Sequence, residues 1–168
     1  MSTSVEALQF TSRNRPLPVF LATGCAVGIV DIVYAFLFYG MFGASPRIIL
    51  QSIASGLLGR AAYSGGARTA ALGLVLHFFI AFSVTAFYFF LASRVFWFNA
   101  HAVVSGLGYG AGVFLFMHLV VLPLSAHAPG FLPLFPATCE FLEHMLFVGL
   151  PVALAARTIF HRSTLVNR

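Results

Sequence analysis

Long apolar runs, each interrupted by only a few polar residues, dominate the pattern of this chain. Four of these runs reach the length of about 20 residues that an α-helix needs to cross a lipid bilayer. Residues 1–17 and 161–168 flank them and are expected to form a cytoplasmic N-terminal segment and a cytoplasmic tail. The pattern predicts an all-α, polytopic membrane protein of one domain, with transmembrane helices at about 18–40, 69–92, 100–124 and 137–159.

A different pattern occupies the stretch between the first two runs. Ser45 can cap a helix that Pro46 starts, and apolar residues recur at every fourth position from Ile49. This predicts an amphipathic helix at about 46–62, which is either interfacial or re-entrant. A fifth full span is not expected, because Arg60 would then lie within it.

Composition supports a membrane protein and excludes a soluble globule. The chain is 60% hydrophobic and 8% charged, whereas a soluble domain carries roughly 25% charged residues. The net charge of +5 comes from arginines that are scattered at the ends of the apolar runs and form no basic stripe. Nucleic-acid binding is therefore not expected.

The same arginines predict the orientation of the chain, because basic residues collect on the cytoplasmic side of a membrane protein. Six of the nine lie on the side of the two termini, so both termini are expected to be cytoplasmic. The cytoplasmic set is Arg13, Arg15, Arg94, Arg157, Arg162 and Arg168, and the opposite set is Arg47, Arg60 and Arg68.

Six ionisable residues lie inside the apolar runs, where burial in lipid is costly. Three of them are among the chain's four acidic residues, and three are among its six histidines. At a helical rise of about 1.5 Å per residue, all six fall in the same half of the bilayer, on the non-cytoplasmic side. They are predicted to form one buried polar layer: Asp31, His77, His118, Glu140, Glu143 and His144.

The first hypothesis for this layer is a metal or haem site. Glu140, Glu143 and His144 are spaced i, i+3 and i+4 on one helix, and bundles build metal sites from carboxylates and imidazoles on facing helices. All six residues of the layer are candidate metal ligands. His77 and His118 are also candidate axial ligands of a haem iron, since they lie at similar depth on neighbouring helices. The pattern does not identify the metal.

Two alternatives stay open. Chains of Asp, Glu and His relay protons or hold coupling ions in membranes, which would make the protein a small ion-coupled transporter or transport subunit. Acid–histidine hydrogen bonds also join helices, which would make it a structural or assembly subunit with no ligand. No nucleophile with a base and an orienting acid is evident, so no catalytic residue is assigned and turnover is not expected. The expected partners are the lipid bilayer and further copies of the chain.

Several segments resemble those of a family of small bacterial inner-membrane proteins. They are Ser45 and Pro46 followed by 49–59 (ILQSIASGLLG), Gly73 with His77, 121–125 (VLPLS) and 149–151 (GLP). The resemblance covers most of the chain from Asp31 to Arg157 and implies a four-span protein of the bacterial inner membrane. It implies no particular activity, and it makes the 46–62 helix a second place to look for function.

Overall fold

Four long helices form most of the described chain. A computed structural model describes the backbone of residues 16–126 and 133–166, and the side chains as far as residue 160. Within these residues the elements are all helices and turns, which confirms the predicted all-α class. Four helices are long and apolar enough to cross a membrane. They are Pro16–Gly40, Gly66–Arg94, Ala102–Leu124 and Leu134–Phe160, here the first to fourth spans.

The span boundaries differ from the predicted ones by up to three residues. The first span begins at Pro16, where a proline needs no intrahelical partner for its nitrogen. Between the second and third spans, Asn99 donates from Nδ2 to the Ala92 carbonyl oxygen at 2.5 Å and fixes a turn. A short separate helix, Phe96–Ala100, occupies this turn, so the third span begins at residue 102 instead of 100.

The amphipathic helix between the first two spans is present but shorter than predicted. It covers Pro46–Leu58 and continues as a 3₁₀ helix, Gly59–Ser64, where one helix over 46–62 was expected. The α-helix ends because Gly59 adopts a φ of 61°, a conformation that residues with a β-carbon rarely take. Ser45 caps the start, and its Oγ accepts a backbone N–H at 3.4 Å.

This helix packs directly against the start of the second span. Gln51 is buried and donates from Nε2 to the Gly66 carbonyl oxygen at 3.0 Å and to Thr69 Oγ1 at 3.2 Å. Leu50 lies against Gly73, where an added β-carbon would overlap the Leu50 carbonyl oxygen. The helix is therefore a packed part of the bundle as well as an amphipathic surface element.

The third and fourth spans approach each other until their backbones touch. A β-carbon on Gly110 would overlap the His144 carbonyl oxygen, and one on Gly149 would overlap the backbone of the third span. Small residues permit this close contact. Gly108 and Gly112 behave differently, because an added β-carbon there has no described atom within 4 Å.

One wide turn interrupts each of these two spans. A π turn, Met117–Val121, lies in the third span, and a second, His144–Gly149, lies in the fourth. Each is followed two residues later by a proline, Pro123 or Pro151. A proline lacks an N–H and its ring clashes with the carbonyl four residues earlier, so the chain widens to i→i+5 bonding before it. The first of these turns carries His118.

Candidate metal centre

Three ionisable side chains meet between the first and fourth spans. Asp31, Glu143 and His144 each offer a ligand atom, and these atoms all lie within 4.8 Å of one another. His77 of the second span joins them, because its Nδ1 lies 3.9 Å from Asp31 Oδ2. We call these four residues the inner cluster. It draws side chains from three spans to one point inside the bundle.

Glu143 is the most deeply buried member of the inner cluster. Its side chain is 1% exposed, and neither carboxylate oxygen receives a hydrogen bond from a described residue. His144 Nδ1 lies 2.8 Å from Glu143 Oε2, but its N–H is directed at the Glu140 carbonyl oxygen. Because burial removes the water that would solvate a carboxylate, donors or a cation normally replace it. For Glu143 the described residues supply one neighbour, the His144 ring, and no hydrogen bond.

Backbone carbonyls fix the tautomers of both inner histidines. His77 Nε2 lies 2.7 Å from the Gly28 carbonyl oxygen, and His144 Nδ1 lies 2.9 Å from the Glu140 carbonyl oxygen. A carbonyl oxygen only accepts, so these two nitrogens carry the protons. In the neutral rings, His77 Nδ1 and His144 Nε2 then keep a lone pair. Metal-binding histidines are oriented in this way, with the second ring N–H bonded to a carbonyl or carboxylate.

A second group of polar side chains lies nearer to the ends of the spans. Tyr39 donates its hydroxyl hydrogen to Glu140 Oε1, and His118 Nε2 lies 3.2 Å from Glu140 Oε2. His118 donates from Nδ1 to the Phe114 carbonyl oxygen at 3.0 Å. We call Tyr39, His118 and Glu140 the outer cluster, and it joins the first, third and fourth spans. Each oxygen of its carboxylate has a polar side chain beside it, whereas at Glu143 the His144 ring nitrogen lies beside Oε2 and neither oxygen receives a hydrogen bond from the described residues.

One aromatic ring contacts both clusters. The Phe114 ring centroid lies 4.1 Å from that of His118 and 5.8 Å from that of His144. Glu140 also links the clusters, since its side chain belongs to the outer one and its carbonyl oxygen holds His144. The six residues predicted to form one layer are thus brought into two adjoining clusters.

The structure adds Tyr39 to this set of residues. The sequence places it near a span end, where aromatic rings commonly meet lipid headgroups, and gives no reason to include it. It reaches Glu140 because the end of the first span lies beside the start of the fourth. The available signal was a hydroxyl on a ring whose nearest aromatic neighbours along the chain, Phe36, Phe38 and Phe42, are phenylalanines.

The haem hypothesis requires His77 and His118 to share one iron. In the structure the two rings face different carboxylates, with His77 beside Asp31 and His118 beside Glu140. The His77 Nε2 is also bonded to a backbone carbonyl. These contacts give the haem hypothesis no support, and it stays a hypothesis.

No protein-family model matches this chain, no curated protein matches it, and no solved structure matches its fold. The resemblance to small bacterial inner-membrane proteins therefore stays a prediction, and the function has to follow from the chemistry of the two clusters.

Proposed function

We propose that this chain is an integral membrane protein that binds a divalent transition-metal ion at the inner cluster. Its four long apolar helices support the membrane assignment. The carboxylate of Glu143, buried beside the His144 ring and receiving no hydrogen bond from the part of the chain that the structure describes, is the observation that carries the metal assignment. A cation between Asp31, Glu143 and His144 would supply the missing partner.

A purely structural role accounts less well for Glu143. Leaving a buried polar group unsatisfied costs about 1–3 kcal/mol, and more when the group is charged. Hydrogen bonds between helices of membrane proteins contribute only about 0.6 kcal/mol on average. If Glu143 served only for packing, the protein would therefore be more stable with an apolar residue at this position. The energetics favour a bound ion as the reason for this carboxylate.

The donor set suits a transition metal. Two carboxylates and two imidazoles meet from three spans, and this mixture of oxygen and nitrogen donors fits zinc, iron or manganese. Metal–ligand bonds of about 2.1 Å keep two ligand atoms at most about 4.2 Å apart. The 3.9 Å separation of His77 Nδ1 and Asp31 Oδ2 lies within that limit. The ligand atoms of Asp31, Glu143 and His144, within 4.8 Å of one another, would need to move together only slightly.

We also propose a location in the bacterial inner membrane, with both termini cytoplasmic. The arginine distribution and the family resemblance support this placement, which sets both clusters nearer the non-cytoplasmic face. Reporter fusions test it: alkaline phosphatase fused after Ser64 should be active, and a fluorescent protein fused after Arg168 should fluoresce. The reverse pattern would contradict the orientation.

Cobalt titration tests the metal assignment, because the visible absorption of Co²⁺ reports its ligands. The untagged chain, purified in mild detergent, should bind about one equivalent at the inner cluster, and His144→Asn should weaken that binding at least about 10- to 100-fold. His101→Asn is the matched control, since His101 is exposed and stacks on Trp97. Absence of saturable binding, or equal binding by His144→Asn, would contradict the assignment.

Ion transport is the second candidate function, and the exposure of one ligand favours it. The Asp31 side chain is 29% exposed, so the inner cluster is reachable from its surroundings. In that case the metal is cargo and not a resident cofactor. Proteoliposomes that contain a metal-sensitive dye should then show uptake that Asp31→Asn abolishes. Metal binding without any uptake would assign a resident ion instead.

A further inference from the structure

We infer that the outer cluster is a second metal site, with Tyr39, His118 and Glu140 as its ligands. The three side chains come from three different spans and meet through donor atoms: the Tyr39 hydroxyl contacts one Glu140 oxygen, and His118 Nε2 lies 3.2 Å from the other. Phenol oxygen, carboxylate and imidazole nitrogen are all metal donors. None of the three residues belongs to the inner cluster, so the site is separate from the proposed one.

The orientation of His118 supports this assignment. Its Nδ1 donates to the Phe114 carbonyl oxygen at 3.0 Å, which leaves Nε2 to face Glu140. The Phe114 ring lies against the imidazole, with centroids 4.1 Å apart. A hydrogen bond and an aromatic contact thus hold the ring in the way that metal-binding histidines are held.

The outer cluster lies nearer to the ends of the spans than the inner one does, and neither its histidine nor its carboxylate is buried as deeply as Glu143. The side chains of His118 and Glu140 are 23% and 16% exposed, against 1% for Glu143. Tyr39 lies one residue before the end of the first span, and Glu140 lies in the second turn of the fourth. An ion that enters from this end of the bundle therefore meets the outer cluster before it meets the inner one.

The donor set indicates the class of ion. Two oxygen donors, one of them a phenol, with a single nitrogen favour a harder ion than the two carboxylates and two imidazoles of the inner cluster do. We assign the outer site to ferric iron. Because Glu140 also holds His144 through its carbonyl oxygen, at 2.9 Å, the two sites lie on successive turns of one helix.

Visible absorption tests the outer site, because ferric iron bound to a phenolate gives an intense charge-transfer band that carboxylate and imidazole ligands do not give. The untagged full chain in mild detergent is titrated with ferric nitrilotriacetate. We expect the band in the wild type and in Glu143→Gln, and its loss in Tyr39→Phe. His118→Gln should weaken iron binding at least about 10-fold. Tyr88→Phe, at a fully buried tyrosine outside both clusters, should keep the band.

The absence of a band in the iron-titrated wild type, or a band that survives Tyr39→Phe, would overturn the inference. If Tyr39→Phe does not fold, His118→Gln and Glu140→Gln replace it, and unchanged iron affinity in both would overturn the inference. A phenolate band in a chain whose inner cluster binds no cobalt would support the outer site and contradict only the function proposed above.

Discussion

The bundle contains two kinds of buried polar cluster, which differ in how far their polar atoms find hydrogen-bond partners within the protein. One cluster lies where the second span ends and the third begins. We call it the neutral cluster, and its members are Tyr88, Asn99, Ser105 and Tyr109. Tyr88 shares a hydrogen bond with Ser105 Oγ at 2.7 Å, and Tyr109 donates to a backbone carbonyl at 2.6 Å. The Asn99 Nδ2 also donates to a backbone carbonyl, at 2.5 Å. These residues join helices with neutral groups that have partners within the described chain, except for Asn99 Oδ1.

The inner cluster is built differently. Its members are ionisable, and its most buried group, Glu143, receives no hydrogen bond from the described residues, although the His144 ring lies beside it. The neutral cluster also has an unpartnered atom, Asn99 Oδ1, but that atom is an amide oxygen and its burial costs less than that of a carboxylate. The neutral cluster shows that this bundle can join its helices through uncharged side chains. The ionisable side chains of the inner cluster therefore need another explanation.

Replacing Glu143 should reveal the difference between the inner cluster and the neutral cluster most strongly. Glu143→Gln should weaken divalent-metal binding at least about 100-fold, because it removes a ligand. In the metal-free protein it should leave the thermal unfolding temperature unchanged or raise it, because it removes an unsatisfied buried carboxylate. Metal titration and thermal unfolding of the same samples measure both effects.

The structural alternative makes the opposite prediction for this variant. If Glu143 only joins helices, Glu143→Gln should destabilise the metal-free protein and leave metal binding as it was. Glu6→Gln is the matched control, since Glu6 is the acidic residue outside the apolar runs and should change neither quantity.

Gly110→Ala should have the next largest effect. The added methyl would overlap the His144 carbonyl oxygen and lie 2.6 Å from the Met145 Cα, so the third and fourth spans must move apart. We expect a destabilisation of about 1–3 kcal/mol and weaker metal binding, because His144 moves with its backbone. Gly108→Ala and Gly112→Ala are matched controls on the same span and should change neither the stability nor the metal binding. Equal effects of all three variants would contradict the close contact.

Pro151→Ala should have a smaller effect on the inner cluster. Alanine restores the backbone N–H that Pro151 lacks, so the π turn His144–Gly149 can relax to regular α-helix. We expect metal affinity below that of the wild type, with an unchanged helical circular dichroism spectrum. Wild-type affinity in Pro151→Ala would show that the turn does not position His144.

Tyr88→Phe should have the smallest effect and mark the neutral cluster as structural. The variant loses one hydrogen bond, while Ser105 Oγ keeps backbone carbonyl partners at 2.9 Å and 3.1 Å. We expect a loss of about 0.6 kcal/mol in unfolding free energy and no change in metal binding. A large loss of metal binding in Tyr88→Phe would contradict the division of the bundle into two kinds of cluster.

Much of the fold could be predicted from the sequence because length and hydropathy determine it. The four long apolar helices and the capped helix that Pro46 begins follow from those two properties. Depth along a helix can also be counted from the sequence, so the six ionisable residues could be predicted to lie toward the same end of the bundle, but their separation into an inner and an outer cluster could not.

The pairing of those residues could not be predicted, because it depends on how each helix is rotated. A π turn adds a residue to a helical turn and changes the rotation of the residues beside it. Both turns precede prolines, Pro123 and Pro151, so the prolines were the signal for them. Residue spacing alone does not give these rotations. It therefore predicts neither the division into two clusters nor the contact between Tyr39 and Glu140.

The metal content of the purified protein tests the central claim most directly. The untagged chain, extracted in mild detergent without added metal, would be compared by elemental analysis with Glu143→Gln prepared in the same way. The account predicts close to one equivalent of a divalent transition metal at the inner cluster of the wild type and its loss in Glu143→Gln. Equal metal content in both proteins, or none in the wild type even after reconstitution with zinc, iron or manganese, would contradict it.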